Sequence, residues 1–428
     1  MRFYIETFGC QMNEHDSLKM ASILRDLGHQ EARELREADV IIVNTCAVRR
    51  KAEEKFYSLM GRLKGLKKNG ARIGVTGCIA QIEKESLRER LPFVDFCLGP
   101  SAILRIGEAI EKNLFDFSED ASKACLNLIV SYDHSPVKAY VTIMKGCDNF
   151  CSYCIVPHAR GRQVDRPTDE ILKEIEDLAQ KGVKEVTLLG QNVNAYSKAG
   201  GELSFAQLLE RIEGIEGIER IRFVTSHPRD LGVELIELFG DMRKLCEHIH
   251  LPFQSGSDKI LQLMNRLYKI DEYRAKVELL RKKCRDIAIT ADCIVGFPGE
   301  TEKDFLSTIE LVKEMQFDGL FSFVFSPRKY TKASLLPDPV PKEVALERLK
   351  MLQALQKEIT EKKNKALEGK EVEVLVEGRS KNSERELQGR TRTNKVVNFP
   401  SERDRTGQLV RVRILEGYAN SLKGELVN

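Results

Sequence analysis

Gly146-Cys147-Asp148-Asn149-Phe150-Cys151-Ser152-Tyr153-Cys154 places three thiols within eight residues. A loop this short can aim all three inward at one cluster of iron and sulfide. A four-iron cubane then keeps one iron without a protein ligand, and that iron can chelate a small molecule as a catalytic metal does. The other reading open from spacing alone is structural zinc, with His158 completing a Cys3His set. The loop follows a strand pattern at 139–145, and the strand–helix rhythm it opens recurs at 184–190, 219–226, 247–251, 287–296 and 319–326. Six such units predict an incomplete barrel of parallel strands, since a full eight-unit barrel takes about 250 residues. The thiols then lie at the strand-end face where barrel enzymes place their chemistry.

Helical spacing fills the intervals. Ile171, Ile175 and Leu178 recur from Thr168 to Gly182, and Thr301 with Asp304 three residues on predicts a capped start. Pro337, Pro339 and Pro341 interrupt the chain before a charged helix expected over 342–367. Upstream, strands are expected at 2–9, 39–45 and 72–77, with helices through Met20, Ile23, Leu24 and Leu27, after residue 46, and over 81–91. Such alternation predicts a parallel sheet flanked by helices. The polar stretch 116–123 is expected to loosen the chain. Downstream, Val372, Val374 and Val376, then Val410, Val412 and Ile414, alternate with charged residues, which predicts a small antiparallel barrel. Ten basic residues against four acidic ones from Arg379 to Arg413 make that part locally positive. The expected division is therefore 1–135, an α/β parallel-sheet domain; 136–367, a partial (βα)6 barrel with a connecting helix; and 368–428, a small β-barrel.

Composition excludes several classes. The 428 residues carry 68 Lys and Arg against 65 Asp and Glu, with 42% hydrophobic residues, an ordinary globular profile. Apolar runs such as Val40-Ile41-Ile42-Val43 fall far short of the roughly eighteen residues that a membrane span takes. No apolar signal core follows Met1, so a cytoplasmic location and no membrane partner are expected. Eleven cysteines, an odd number, speak for ligation or catalysis rather than a disulfide scaffold.

Cys10, Cys46 and Cys78 each end a different expected strand of the first domain. In a parallel sheet those ends form one edge, where ligands bind. Three cysteines far apart in sequence can thus meet and hold a second cluster, although free Cys also serves as a small buried hydrophobe. Cys97, Cys125, Cys246, Cys284 and Cys293 lack ligand-like spacing and are read as packing residues. His227, His248 and His250 sit near strand ends where they can line a pocket; they are read as structural, and no side chain is assigned a catalytic role.

The Cys-x3-Cys-x2-Cys pattern with Tyr153 before its last Cys resembles the signature of radical S-adenosylmethionine enzymes. Leu189-Gly190-Gln191-Asn192 is similar to the segment that contacts the methionyl amine in that family. Asp292 to Glu300, with Ile294 and Gly296, resembles its Gly-rich motif beside the adenine. Thr7-Phe8-Gly9-Cys10-Gln11-Met12-Asn13, Asn44-Thr45-Cys46-Ala47-Val48-Arg49 and Thr76-Gly77-Cys78, with Ile155 to Arg162 and the basic carboxy-terminal part, narrow the resemblance to methylthiotransferases carrying a TRAM domain. Gly-Cys-Gln-Met-Asn is similar to the branch that modifies isopentenyladenosine beside the tRNA anticodon. Tyr330 departs from the pattern, since relatives usually carry Gly there.

The resemblance implies two [4Fe–4S] clusters, one on Cys147, Cys151 and Cys154 and the other on Cys10, Cys46 and Cys78. S-adenosylmethionine would meet Tyr153, Gly190, Gln191, Asn192, Ile294 and Gly296. It implies replacement of an aromatic C–H by C–S–CH3, one S-adenosylmethionine methylating sulfur and another generating the radical that takes hydrogen from adenine C2. Such a bond offers no acidic proton and no leaving group, so cofactor-borne radical chemistry suits it. The implied partners are tRNA and a low-potential electron donor such as a flavodoxin-like protein, with the chain acting as a monomer. Arg411 and Arg413 are expected to neutralise phosphates. The same chemistry on threonylcarbamoyl-adenosine or on a ribosomal-protein aspartate, an electron carrier, and a zinc RNA-binding module are the competing readings.

Overall fold

The computed structural model describes residues 1–67, 70–119, 122–130, 136–197, 203–381 and 383–427. The expected domain limit at 135 and part of the polar stretch 116–123 lie outside the described residues.

The β-branched run Val40–Thr45 is buried along its whole length, as a central parallel strand requires. It is β3 of a parallel sheet whose other strands are β1 (Arg2–Phe8), β2 (Gln30–Glu31), β4 (Arg72–Gly77), β5 (Phe96–Leu98) and β6 (Phe115–Asp116), in the order β2-β1-β3-β4-β5-β6. Ile41, Val43, Ile73 and Val75 pack on one face against Phe56, Leu59 and Leu63 of the helix Arg50–Leu66. Val40, Ile42, Phe96 and Leu98 pack on the other against Met20 and Leu24 of the helix Gln11–Asp26. The helices after β1 and β3 therefore lie on opposite faces, so a crevice opens between those two strand ends.

The helix expected over 81–91 is two short helices, Cys78–Glu83 and Glu85–Arg90, broken at Lys84 with φ +47°. Ser86 Oγ donates to Glu83 O at 2.6 Å, a local bond that competes with a continuous helix. The first of these helices starts at Cys78 itself.

The strand expected at 139–145 is divided at Ile143. Its first part, β7 (Lys138–Thr142), joins the barrel, while β8 (Met144–Lys145) pairs antiparallel with β9 (Val164–Asp165) as the cysteine loop folds back. Gly146, at φ +78°, makes that turn; a Cβ there would lie 1.9 Å from Arg162 O. The other barrel strands are β10 (Glu185–Leu189), β11 (Arg220–Phe223), β12 (His248–His250), β13 (Ala288–Val295) and β14 (Gly319–Val324). All six expected strands are present. They form two parallel sheets, β11-β10-β7 and β12-β13-β14, joined by the bridge Ile221–Leu245. Thr301 caps the helix Glu302–Met315 reciprocally with Asp304, as its sequence predicts.

Between β7 and β14 the barrel stays open, and the helices and strand-end loops of the amino-terminal domain reach both edges. At β7, His15 Nδ1 lies 2.7 Å from Thr142 Oγ1 and Tyr140 Oη donates to Glu14 Oε2 at 3.1 Å. Past β14, Arg328 donates to Glu53 at 2.6 Å and to Val48 O at 3.0 Å.

After the helix Lys342–Lys365, β15 (Glu371–Ser380), β16 (Ser383–Thr391), β17 (Val396–Pro400), β18 (Leu409–Gly417) and β19 (Leu422–Leu426) close a barrel around Val374, Val376, Leu387, Phe399, Val412 and Ile414. It is antiparallel except where β17 meets β19. An odd number of strands cannot close with every pair antiparallel. This barrel docks at the amino-terminal ends of the larger barrel's strands, away from the cysteine loop. Arg222 donates to Arg392 O at 2.8 Å and Thr391 O at 2.7 Å, and Arg392 grips both oxygens of Glu247 at 2.8–2.9 Å. Arg392 and Lys395 thus face the larger barrel, while Arg390 pairs with Glu377 at 3.2 Å and Arg413 with Glu371 at 2.9 Å inside the small barrel, so the positive charge is not all offered outward.

Arg222 and Glu185 form a buried pair at 2.9 Å. Arg222→Ala leaves that carboxylate buried without its partner and is expected to cost about 3–5 kcal/mol, measured by urea unfolding.

Candidate functional site

The strand register sets the first group of thiols. Phe8 lies opposite Thr45, and Thr45 opposite Gly77, so Cys10, Cys46 and Cys78 leave the sheet along one edge. Gly77 has φ +91°, and a Cβ there would lie 2.4 Å from Asn44 Oδ1 and 2.6 Å from Thr45 O. Only glycine allows the chain to turn this tightly into Cys78. Asn13 and Asn44 lock the other two turns, with Asn13 Nδ2 donating to Asn44 Oδ1 at 3.2 Å and Asn44 Nδ2 to Asn13 O at 2.8 Å. The asparagine of Gly-Cys-Gln-Met-Asn is thus a brace for the thiol edge.

These thiols sense one another. A hydrogen bond with Cys46 holds the Cys10 thiol below its ordinary range, while the same bond and burial push Cys46 up. Burial pushes up Cys78, against the pull of the Arg160 guanidinium. Val48 N donates to Cys46 Sγ at 3.3 Å, the kind of backbone contact that supports a ligating thiolate.

The second group sits in the loop after β8. Burial raises Cys147 to about 11, and burial with the neighbouring Cys151 raises Cys154 to about 12. Ligation by metal would displace those protons. Ser152 fastens the loop across the barrel mouth, its N donating to Met264 O at 2.9 Å and its Oγ to Leu263 O at 2.7 Å. Arg266 points Nη1 at Cys151 Sγ from 3.7 Å and at Tyr153 Oη from 3.4 Å. His227 stands 3.9 Å from the same sulfur through Nε2. Its Nδ1 accepts from Arg229 N at 3.2 Å, so with burial holding the ring neutral the proton lies on Nε2, toward sulfur. Neither Arg266 nor His227 has a spacing signal that would assign it to this sulfur.

The chemistry of the donors fits iron–sulfur clusters: two sets of three thiols, each gathered in one place. Among the described residues no three His, Cys, Asp or Glu side chains converge on a single ion, whereas a cubane spreads its thiolates more widely. His158, the fourth ligand of the zinc reading, is exposed and lies 6.0 Å from the Tyr330 ring. Tyr330 has φ +69°, a conformation that explains why Gly suits this position. Cys97, Cys125, Cys246, Cys284 and Cys293 are all buried, as packing residues should be.

The residues expected to meet S-adenosylmethionine divide into two sides of the cysteine loop. On one, Gly190 passes so close to Met144 that a Cβ would lie 2.4 Å from its Cγ, and Gln191 Oε1 accepts from Gly146 N. Asn192 Nδ2 donates to Asp230 at 2.7 Å, while its buried Oδ1 has no protein partner. On the other, Tyr153 and Ile294 share an apolar cluster with Ile260, Met264 and Phe297. Gly296, at φ +71°, meets the connecting helix, where a Cβ would lie 2.6 Å from that of Ala345, so it has a packing requirement of its own. Ser226 Oγ, Gln254 Oε1 and Asp292 Oδ1, close to successive strand ends, are buried and unpartnered like Asn192. Four orphaned polar atoms around one barrel mouth call for a polar ligand.

A short helix, Val156–Arg160, joins the two groups. It begins two residues past Cys154 and packs on the helix Cys78–Glu83. Ile155 and Ala159 belong to the amino-terminal core, and buried Arg160 pairs with buried Asp16 at 2.8 Å. The two sets of thiols are therefore held by one rigid joint.

Comparison with known proteins gives three family matches: Uncharacterized protein family UPF0004 over residues 2–99, Radical SAM superfamily over 141–312, and TRAM domain over 365–427. The tRNA-2-methylthio-N(6)-dimethylallyladenosine synthase of Syntrophus aciditrophicus is 50% identical over 434 residues, spanning 99% of this chain and 94% of that protein. The protein of the same name from Thermodesulfovibrio yellowstonii is 50% identical over 99% of this chain and 98% of its own. Among solved structures, the radical S-adenosylmethionine methyltransferase TsrM from Kitasatospora setae, with tryptophan and a SAM analog, matches with TM-score 0.58 at 12% identity, over 78% of this chain and 75% of that one. That likeness is one of fold.

In metal-free protein at pH 7, alkylation is expected at Cys10 first. It is exposed and its thiol is held low, whereas Cys46 and Cys78 are buried and held high. Peptide mass spectrometry after brief iodoacetamide treatment reads the order; equal labelling of the three would contradict their mutual contact.

Proposed function

The chain belongs to the tRNA-2-methylthio-N(6)-dimethylallyladenosine synthase family, and we propose which of its residues carry that activity and with what second cofactor. It is a radical S-adenosylmethionine methylthiotransferase. Its product is the 2-methylthio derivative of isopentenyladenosine in tRNA, formed where C–H becomes C–S–CH3. Cys147, Cys151 and Cys154 hold the cluster that receives S-adenosylmethionine, and Cys10, Cys46 and Cys78 hold a second cluster. The observation that carries this assignment is the gathering of two thiol triads from different scaffolds onto one joint at Arg160. Domain limits at 1–135, 136–367 and 368–428 follow the same division.

When bound, the clusters supply the electron that cleaves S-adenosylmethionine and the sulfur that is transferred. The protein supplies position. Gln191 fixes the turn at Gly146, and Arg266 with His227 addresses the Cys151 sulfur. Asn192 Oδ1, with Ser226 and Gln254, offers polar atoms to the methionyl and adenosyl groups. A low-potential donor such as a flavodoxin-like protein provides electrons, and tRNA as substrate implies the cytoplasm. Exposed Arg379, Lys381, Arg385 and Arg403, near the β15–β16 turn, meet tRNA phosphates rather than Arg392 and Lys395, which are spent on docking, or Arg390, which pairs with Glu377 of its own barrel.

Anaerobic incubation with isopentenylated tRNA and S-adenosylmethionine, followed by nucleoside mass spectrometry, should give the 2-methylthio product. Wild type should load about eight irons and Cys46→Ala about four. The variant should still form 5′-deoxyadenosine but transfer no sulfur; loss of cleavage as well would contradict the division between triads. For RNA binding, Arg385→Ala should lower the slope of log affinity against log salt by about one, whatever the tRNA sequence.

A further inference from the structure

The inner face of β14 carries side chains that neither thiol triad uses. The register pairs Asp292 with Phe321 and Ile294 with Phe323, so both rings share the barrel-facing side with Ile294, which packs beside Tyr153 of the cysteine loop. Phe321 is 51% exposed. Leaving a large ring half in water forgoes part of what its burial would contribute.

Arg49 reaches these rings from the loop between β3 and the helix Arg50–Leu66. Its guanidinium lies 5.8 Å from the Phe321 centroid and 5.7 Å from that of Phe323. Arg49 is three residues past Cys46, and Arg328 fixes the intervening segment through Val48 O at 3.0 Å. His250 meets Phe321 edge-on at 6.0 Å, and its Nε2 lies 3.3 Å from Asp292 Oδ2, which leaves Asp292 Oδ1 buried without a partner. A flat aromatic face, a planar cation and an orphaned acceptor thus stand together, beside the segment that carries a ligand of the proposed second cluster.

A docking protein side chain would match the apolar ring but not the cation and acceptor around it. An unstacked purine matches all three: a π face for Phe321, ring nitrogens for Arg49 and an exocyclic N–H for Asp292. N6-isopentenyladenosine keeps one such N–H. We propose that Phe321 and Arg49 form the platform on which the target adenine stacks after it leaves the RNA helix, next to the segment that carries Cys46. The inference rests on the function proposed above and adds the place where the base is held.

The test uses full-length protein with both clusters and an isopentenylated anticodon stem-loop. Phe321→Ala should weaken stem-loop binding roughly 5- to 150-fold, the stacking contribution of one base. Phe321→Leu should be as weak as Ala, because it keeps the apolar volume but not the ring, and Phe321→Trp should bind like wild type. Wild-type affinity in Phe321→Ala would overturn the proposal. Wild-type affinity in Phe321→Leu alone would overturn it in favour of the prenyl tail. Loss of RNA-independent 5′-deoxyadenosine formation in Phe321→Ala would overturn it in favour of the adenosyl group of S-adenosylmethionine. If wild type itself leaves the stem-loop unmodified, the proposed function fails instead.

Discussion

Cys10, Cys46 and Cys78 can share a site only because β1, β3 and β4 run parallel with their ends level. Phe8, Thr45 and Gly77 stand side by side in the sheet, and a slip of one residue in any strand would turn its thiol to the other face. The burial of the whole Val40–Thr45 run fixes the register, since both faces of that strand must meet a core. The asparagines that brace the turns and the positive φ of Gly77 complete the constraint. Everything chemical about the amino-terminal domain follows from that alignment.

The second thiol loop depends on the first domain as well. A six-stranded parallel array does not close, and an open edge at β7 or β14 would expose unpaired backbone and apolar side chains. Helices of the amino-terminal domain cover the opening, touching Thr142 and Tyr140 on one side and Arg328 on the other. Arg160 anchors this contact from within the segment that follows Cys154. Its burial with Asp16 is costly in isolation, because two charges leave water. What the pair offers is a fixed geometry: moving one thiol triad relative to the other would break a buried ion pair.

Much of this was readable in the sequence, for a definite reason. Strand alternation and the Val372-Val374-Val376 pattern are local signals, and each led to the right element. The errors lie where tertiary demands override local ones. Helix 81–91 is broken at Lys84, and strand 139–145 is divided at Ile143 because the returning β9 claims Met144 and Lys145. The basic residues of the last domain were the least legible. Arg392 and Lys395 have the same sequence character as Arg379 and Arg385, yet the first two meet acids and a carbonyl across a domain boundary. Arg266, His227 and Arg49 belong with the site for the same kind of reason, each brought there by folding from a distant segment.

The small barrel docks at the amino-terminal ends of the larger barrel's strands, whereas the thiols lie at the opposite ends. RNA that touches both must run along the flank of the larger barrel, so on the proposed function the reacting base and the phosphate contacts stand about a strand length apart, roughly 17–20 Å for a typical strand. That separation has an energetic use. Drawing a base out of its stack costs a few kcal/mol, and phosphate contacts far from the chemistry can offset that cost without touching the reacting atoms. Their contribution depends on both ends being rigidly related. The paired arginines Arg220 and Arg222, which bond backbone carbonyls of the small barrel, provide that rigidity. A small barrel on a flexible tether would still hold RNA, but the binding energy would no longer be directed toward the barrel mouth.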